Sequence, residues 1–277
     1  MQFTTPVKIP SSPWQLSPCE RMLFVGSCFA DNMGQRFKEG KFRAMVNPFG
    51  VMYNPVSVLH TVTRLIEAGQ LPFCADESGT AVFTLGTNHV YRLKASGEIV
   101  DNCQKRPQSL FQEDELTVAQ CYAALTKAIA LIRERFSQTR FILTVSPIRY
   151  RKYGYHGSQL SKATLLLAVD QVIREHADPT VAYFPSYEIV NDELRDYRFY
   201  QPDMLHPSPQ AVDYIYERMA ASYFSSATIL FLQRWEPIRE ALAHRPFHPE
   251  SDAYQSFLLE TQKKFEALKK DYPMMEG

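Results

Sequence analysis

The stretch RMLFVGSCFADNMGQRFKEG, Arg21 to Gly40, sets the architecture. Its first part, RMLFVG, is a short continuous apolar run stopped by Gly26, the pattern of a strand buried on both faces in a parallel sheet. From Phe29 the spacing changes: Phe29, Met33 and Phe37 recur at i, i+4 and i+8, with Gly40 as terminator, which predicts a helix. A strand, a tight turn and a helix follow one another, and the turn holds Ser27 and Cys28.

The same unit repeats outward. FRAMVNPFG reads as a second short strand ending at Asn47 to Gly50, and a helix follows with Asn54 as N-cap and Pro55 in its first turn. AVFTLGTNHVYRL reads as a strand interrupted at Gly86-Thr87-Asn88-His89, and DELTVAQCYAALTKAIALIRERF is the longest helical pattern. RFILTVSP predicts a buried strand ending at Ser146-Pro147, SKATLLLAVDQVIREHA a helix, TVAYF a strand and SPQAVDYIYERMAASYF a helix. Strands alternating with helices of this length imply right-handed crossovers and an α/β fold with a mainly parallel sheet covered on both sides. Functional residues in such sheets gather just after the strands.

Four prolines before residue 19 predict that residues 1–20 form an extended segment lying along the surface of an α/β domain over residues 21–225. Residues 226–277 carry two amphipathic helical patterns about a proline-rich bend, read as a C-terminal helical extension for packing or for a homodimer. Lys plus Arg and Asp plus Glu both total 30 in 277 residues, so no net field recruits nucleic acid or an anionic membrane. Neither a leader pattern nor an apolar span of about 18 residues is evident, so a cytoplasmic protein without membrane insertion is expected. The five cysteines have no C-x-x-C spacing and the histidines no metal-ligand spacing, so no metal or disulfide framework is expected.

The turn between strand and helix suits a thiolate or an oxyanion, because first-turn N–H groups and the helix dipole favour negative charge there. Cys28 is then a nucleophile or a small buried apolar residue, and Ser27 a nucleophile or a helix cap. Asp203-Met204-Leu205-His206 places a carboxylate three residues before an imidazole, in a loop stiffened by Pro202, Pro207 and Pro209. A carboxylate that orients a histidine, which activates a nucleophile from elsewhere in the chain, is the logic of a catalytic triad. Arg149, directly after a strand, is a solvated base or an anchor for a substrate carboxylate or phosphate. Glu188 and Asp192 belong to the cleft or to a helix start.

GSCFA at 26–30, with SPIRY at 146–150, LSKATLLLAVD at 160–170, YEIV and DELRDYRFY between 187 and 200 and DMLHPS at 203–208, resembles the recurring blocks of the GSCFA family across residues 20 to 225. That family is grouped with the SGNH, or GDSL-like, hydrolases. The resemblance implies a flavodoxin-like, three-layer α/β/α domain with a nucleophile in an N-terminal G-D-S-L block, oxyanion donors from a glycine and an asparagine, and a C-terminal D-x-x-H. It sets Gly26 on the glycine of G-D-S-L, Ser27 on its aspartate and Cys28 on its serine. Gly50 is similar to the second-block glycine, Asn88 to the asparagine of G-x-N-D, and Asp203 and His206 to D-x-x-H. His89 stands where G-x-N-D ends in aspartate, and Asn102-Cys103-Gln104-Lys105 lacks the histidine of the family's N-C-H-K block.

The expected function is an acyl hydrolase or acyltransferase of SGNH type, acting on a small-molecule, carbohydrate or lipid acyl substrate with no cofactor. The alternative from a different class is a ligand-binding or scaffold protein that keeps the fold without efficient chemistry.

Overall fold

The computed structural model describes residues 4–101, 103 and 106–275, so Asn102, Gln104 and Lys105 of the N-C-Q-K block lie outside it. The chain runs through β1 (Arg21–Gly26), α1 (Cys28–Glu39), β2 (Arg43–Val46), α2 (Pro55–Glu67) and β3 (Gly79–Leu85). There follow β4 (His89–Leu93), β5 (Ile99–Val100), β6 (Phe111–Glu115), α3 (Val118–Arg135) and β7 (Thr139–Val145). Then come α4 (Gly154–His176), β8 (Val181–Tyr183), a short α5 (Ser186–Glu188) that opens into a π turn, α6 (Pro209–Tyr223), α7 (Ser226–Ala243) and α8 (Asp252–Asp271).

Five strands pair in parallel in the order β2-β1-β3-β7-β8. Renumbered within this sheet, the order is 2-1-3-4-5, the doubly wound flavodoxin-like topology whose switch point lies between the first and third strands. Alternation along each strand divides the interior into two cores. Leu23, Val25, Phe83, Leu143 and Val145 face one side, where α2, α3 and α4 supply Val58, Leu125, Ile129 and Val169. Met22, Phe24, Val82 and Ile142 face the other, where α1 and α6 supply Phe29, Met33, Phe37, Ile215 and Met219. The expected three-layer α/β/α arrangement is observed. Asn54 caps α2 through Ser57 N–H at 3.0 Å, with Pro55 in its first turn.

Three features differ from the sequence reading. After β3 the chain leaves the main sheet, and β4 forms a separate antiparallel sheet in the order β5-β4-β6. The break at Gly86 to Asn88 is thus an exit from the sheet, and β6 (FQEDE) alternates too weakly in hydrophobicity to announce a strand. Helix α3 starts later than its apolar pattern suggested, because Thr117 and Gln120 close a capping box. The N-terminal segment is extended, yet Leu16 and Cys19 are fully buried, since Leu16 N–H donates to the Tyr223 carbonyl and its own carbonyl accepts from Thr228 Oγ1, both at 2.6 Å. In the C-terminal region Phe231, Trp235, Ile238 and Leu268 form a third apolar cluster around Cys19, and Trp235 Nε1 donates to the Glu39 carbonyl at 2.6 Å.

Candidate active site

The β1 exit is built around an approach that only glycine permits. Gly26 has φ +152°, and a Cβ there would stand 2.1 Å from the Thr84 carbonyl oxygen on β3. Ser27 N–H donates to that carbonyl at 3.0 Å and to Thr84 Oγ1 at 3.1 Å, which locks the turn across the switch point. Asn47 ties in the far side: its Oδ1 accepts from Gly26 N–H at 2.9 Å and its Nδ2 donates to Asp31 Oδ1 at 2.7 Å. Sequence reasoning placed Asn47 only in a turn. Its φ of +40° and its burial are the mark of a residue that shapes the bend.

Ser27 and Cys28 therefore have different surroundings. Ser27 is 0% exposed; its hydroxyl lies 3.3 Å from Thr84 Oγ1 and accepts from Phe29 N–H at 3.3 Å, which is the N-cap of α1. Its carbonyl accepts from Ala30 N–H at 2.7 Å. Cys28, the first helical residue, is half-buried, and its N–H has no intrahelical partner by position. Its Sγ lies 3.9 Å from the Tyr53 hydroxyl. Burial first, and the adjoining thiol second, push that phenol up to about 12. Cys19 and Cys121 are buried and their thiols are pushed up to about 11 and about 12 by desolvation, so neither is a reactive thiolate.

The D-x-x-H loop is ordered by its own carboxylate. Asp203 Oδ1 accepts from the N–H groups of Leu205 and His206 at 2.9 and 3.0 Å, and Oδ2 meets His206 Nδ1 at 2.6 Å. The Leu205 N–H and then the imidazole hold the Asp203 carboxyl down at about 2. With Nδ1 facing a carboxylate, the proton belongs on Nδ1 and Nε2 is the basic atom. Met204 adopts φ +61° at the loop tip. Arg149 pins the loop from β7: its N–H donates to the Leu205 carbonyl and its Nη1 to the Met204 carbonyl, both at 3.0 Å. Its guanidinium also lies against the rings of Tyr155 (4.3 Å), Tyr200 (5.6 Å) and Tyr197 (5.9 Å). Beside it opens a cleft of about 250 Å³, lined among others by Gln159, Asn191, Arg195 and Tyr197. A larger hollow of about 520 Å³ between α1, α6 and α7 opens away from the strand ends and contains neither Cys28 nor His206.

The two remaining site residues are engaged elsewhere. Gly50, at φ +89°, donates its N–H to the Asn47 carbonyl at 2.8 Å. Asn88 is buried, with its N–H on Ser161 Oγ at 2.9 Å and its Nδ2 on the Leu116 carbonyl at 2.8 Å. His89 stacks on Tyr153 with ring centroids 3.5 Å apart. Glu188 accepts from the Tyr183 hydroxyl, and burial raises its carboxyl; Asp192 lies in the π turn after α5.

Lys162 is a residue the sequence reading did not single out. It is 1% exposed, and its Nζ donates to the carbonyls of Gly86 and Ser146 at 2.6 Å each, joining the exits of β3 and β7. Burial lowers its ammonium to about 7. A lysine in an otherwise apolar helical run was the signal available, since such a residue is either at the surface or fastened to polar backbone.

The chain is similar to several solved structures. A GDSL-like lipase from Bacteroides thetaiotaomicron is 13% identical, with 73% of this chain and 86% of that one covered at a TM-score of 0.45. A family two carbohydrate esterase from Clostridium thermocellum is 11% identical, covering 74% and 64% at 0.44. A family 3 carbohydrate esterase from Talaromyces cellulolyticus is 8% identical, covering 77% and 98% at 0.44. No curated protein matches the chain. The GSCFA family model matches residues 21–73 and 73–219 and the GSCFA C-terminal domain model residues 235–276, so the chain belongs to the GSCFA family.

Proposed function

We propose that this protein is an acyl hydrolase or acyltransferase of SGNH type in which Cys28 is the nucleophile and Asp203 and His206 form the base. The observation that carries this reading is the Asp203–His206 pair, oriented with Nε2 basic, on a loop pinned by Arg149 while the next residue, Tyr150, lies against the turn that carries Cys28. His206 Nε2 takes the proton of the Cys28 thiol as the sulfur adds to the carbonyl carbon of an ester, and the carbonyl π pair moves onto oxygen. Collapse expels the alcohol, which takes its proton from His206 Nε2, and leaves a thioester on Cys28. Water, or an acceptor alcohol for acyl transfer, then attacks with His206 as base and regenerates the thiol. None of these steps uses a metal or organic cofactor. The substrate class is a small-molecule, carbohydrate or lipid acyl compound, met in the cytoplasm.

The bonds of Gly50 N–H and Asn88 Nδ2 favour the second reading, a fold that binds an acyl ligand without efficient chemistry. Turnover of short p-nitrophenyl esters separates the two. Steady hydrolysis by the wild type that Cys28→Ala abolishes supports the enzyme; ester binding without turnover supports the binding protein.

A further inference from the structure

The hydroxyl of Tyr150 is buried and has no hydrogen-bond partner among the described residues. Folded proteins rarely leave such a group orphaned without a reason. A methyl group built on Gly86 would stand 2.3 Å from this oxygen, 3.1 Å from the Tyr53 carbonyl oxygen and 3.4 Å from Ser27 Cβ. The phenol thus lies over the β3 exit and against the turn that carries Cys28. Its ring meets Tyr53 edge-on with centroids 6.2 Å apart, and the Tyr53 hydroxyl lies 3.9 Å from the Cys28 sulfur. The residue is held from several sides, by its N–H on Ser158 Oγ at 3.2 Å, by Tyr153 with centroids 6.2 Å apart, and by Lys162 Nζ 5.2 Å from its ring centre.

We infer that Tyr150 is a catalytic residue of this site, its hydroxyl donating a hydrogen bond to the oxyanion formed when the Cys28 sulfur adds to an acyl carbonyl. The inference rests on the reading of Cys28 as an acyl nucleophile. Acyl transfer needs donors aimed at the position where negative charge develops, and a donor already paired in the resting fold serves poorly. Gly50 N–H and Asn88 Nδ2 are paired with Asn47 and Leu116, whereas the Tyr150 O–H is free and buried. Burial first, then Tyr53 and Cys28, hold this phenol well above its ordinary pKa, so it keeps its proton. The orphaned hydroxyl is a cost in the resting protein that the oxyanion removes.

The test compares two reagents on Cys28. Propionaldehyde adds to a thiol as a hemithioacetal, whose oxygen takes the oxyanion's place; iodoacetamide alkylates the same sulfur by displacing iodide and creates no such oxygen. In Tyr150→Phe, the aldehyde concentration that half-protects Cys28 from iodoacetamide should rise about tenfold or more. The kcat for p-nitrophenyl acetate should fall about a hundredfold with KM little changed. Alkylation without aldehyde should stay within about twofold. The variant should melt no lower than the wild type, since removing an unpaired buried hydroxyl breaks no bond, whereas a purely structural tyrosine would show itself by a lower melting temperature. Unchanged aldehyde protection and kcat in Tyr150→Phe, or no protection by aldehyde in the wild type, would overturn the inference. Full turnover in Cys28→Ala is a different failure: it removes the nucleophile on which the inference rests, and it is read in a separate variant.

Discussion

Two strand exits lie side by side at the centre of the sheet. After β1, Gly26-Ser27-Cys28 leaves one side chain half-open and one first-turn N–H without a helical partner. After β3, Gly86-Thr87-Asn88 commits its donors, while the buried Asn88 Oδ1 has no partner among the described residues: Thr87 Oγ1 lies 2.9 Å from Ser161 Oγ, Asn88 is bonded to Ser161 and Leu116, and the Gly86 carbonyl accepts from Lys162. Gly86 and Thr87 N–H groups both donate to the Tyr53 carbonyl, at 2.8 and 2.9 Å. The second exit is a frame, and the first is the edge it leaves open. Position after a parallel strand is therefore not enough to identify a functional residue; what differs between the two exits is a hydrogen-bond donor left without an internal partner beside a half-open side chain.

The largest effects should come from the Asp203–His206 loop. His206→Ala and Asp203→Asn should each lower p-nitrophenyl ester turnover by about a hundred- to ten-thousandfold while leaving the melting temperature near that of the wild type. Their double variant should be hardly slower than His206→Ala, because members of one catalytic unit fail together. Strictly multiplicative losses would mean that the two act separately. Asp203, held down at about 2, is ionised well below neutral pH, so an acid limb of the activity profile near neutrality should not arise from its titration.

The frame should announce itself through stability and pH. Lys162 binds its proton less tightly folded, at about 7, than unfolded, near the ordinary lysine value of 10.5. Between these values the unfolded chain holds the extra proton, so stability rises with pH, by up to about 1.4 kcal/mol per unit from this residue alone. Below about pH 7 both states are protonated and the full cost of burying the charge remains. The difference in unfolding free energy between wild type and Lys162→Met, measured by urea titration from pH 6 to 9, should therefore grow in favour of the wild type as pH rises through the upper part of that range. A flat difference would show that the ammonium stays charged in the fold.

A smaller effect belongs to Ser27, the residue before Cys28. Ser27→Ala removes the α1 cap and should cost about 1 kcal/mol in denaturant unfolding, with turnover reduced only modestly. Loss of turnover comparable to that in His206→Ala would place chemistry on Ser27.

Much of the fold could be read from hydrophobic period. The runs at β1, β3 and β7 and the spacing of Phe29, Met33 and Phe37 identify a parallel sheet with helices on both faces, as observed. The second sheet escaped that reading because β4 and β6 are stabilised by pairing with each other and carry charged residues such as Arg92 and Asp114, bonded at 2.9 Å across the ladder. Asp203 and His206 were legible because their three-residue spacing is local. Asn47, Tyr150 and Lys162 were not, since their roles depend on partners far away in sequence, and no periodic pattern records which buried hydroxyl goes unpaired.

The most direct measurement is the location of the acyl group during turnover. Protein mixed with p-nitrophenyl acetate, quenched in acid and digested should show the acetyl group on the Cys28 thiol as a hydroxylamine-sensitive thioester, absent from Cys28→Ala. An acetyl group on Ser27 or another side chain, or turnover that continues with no adduct on Cys28 and survives Cys28→Ala, would contradict the account.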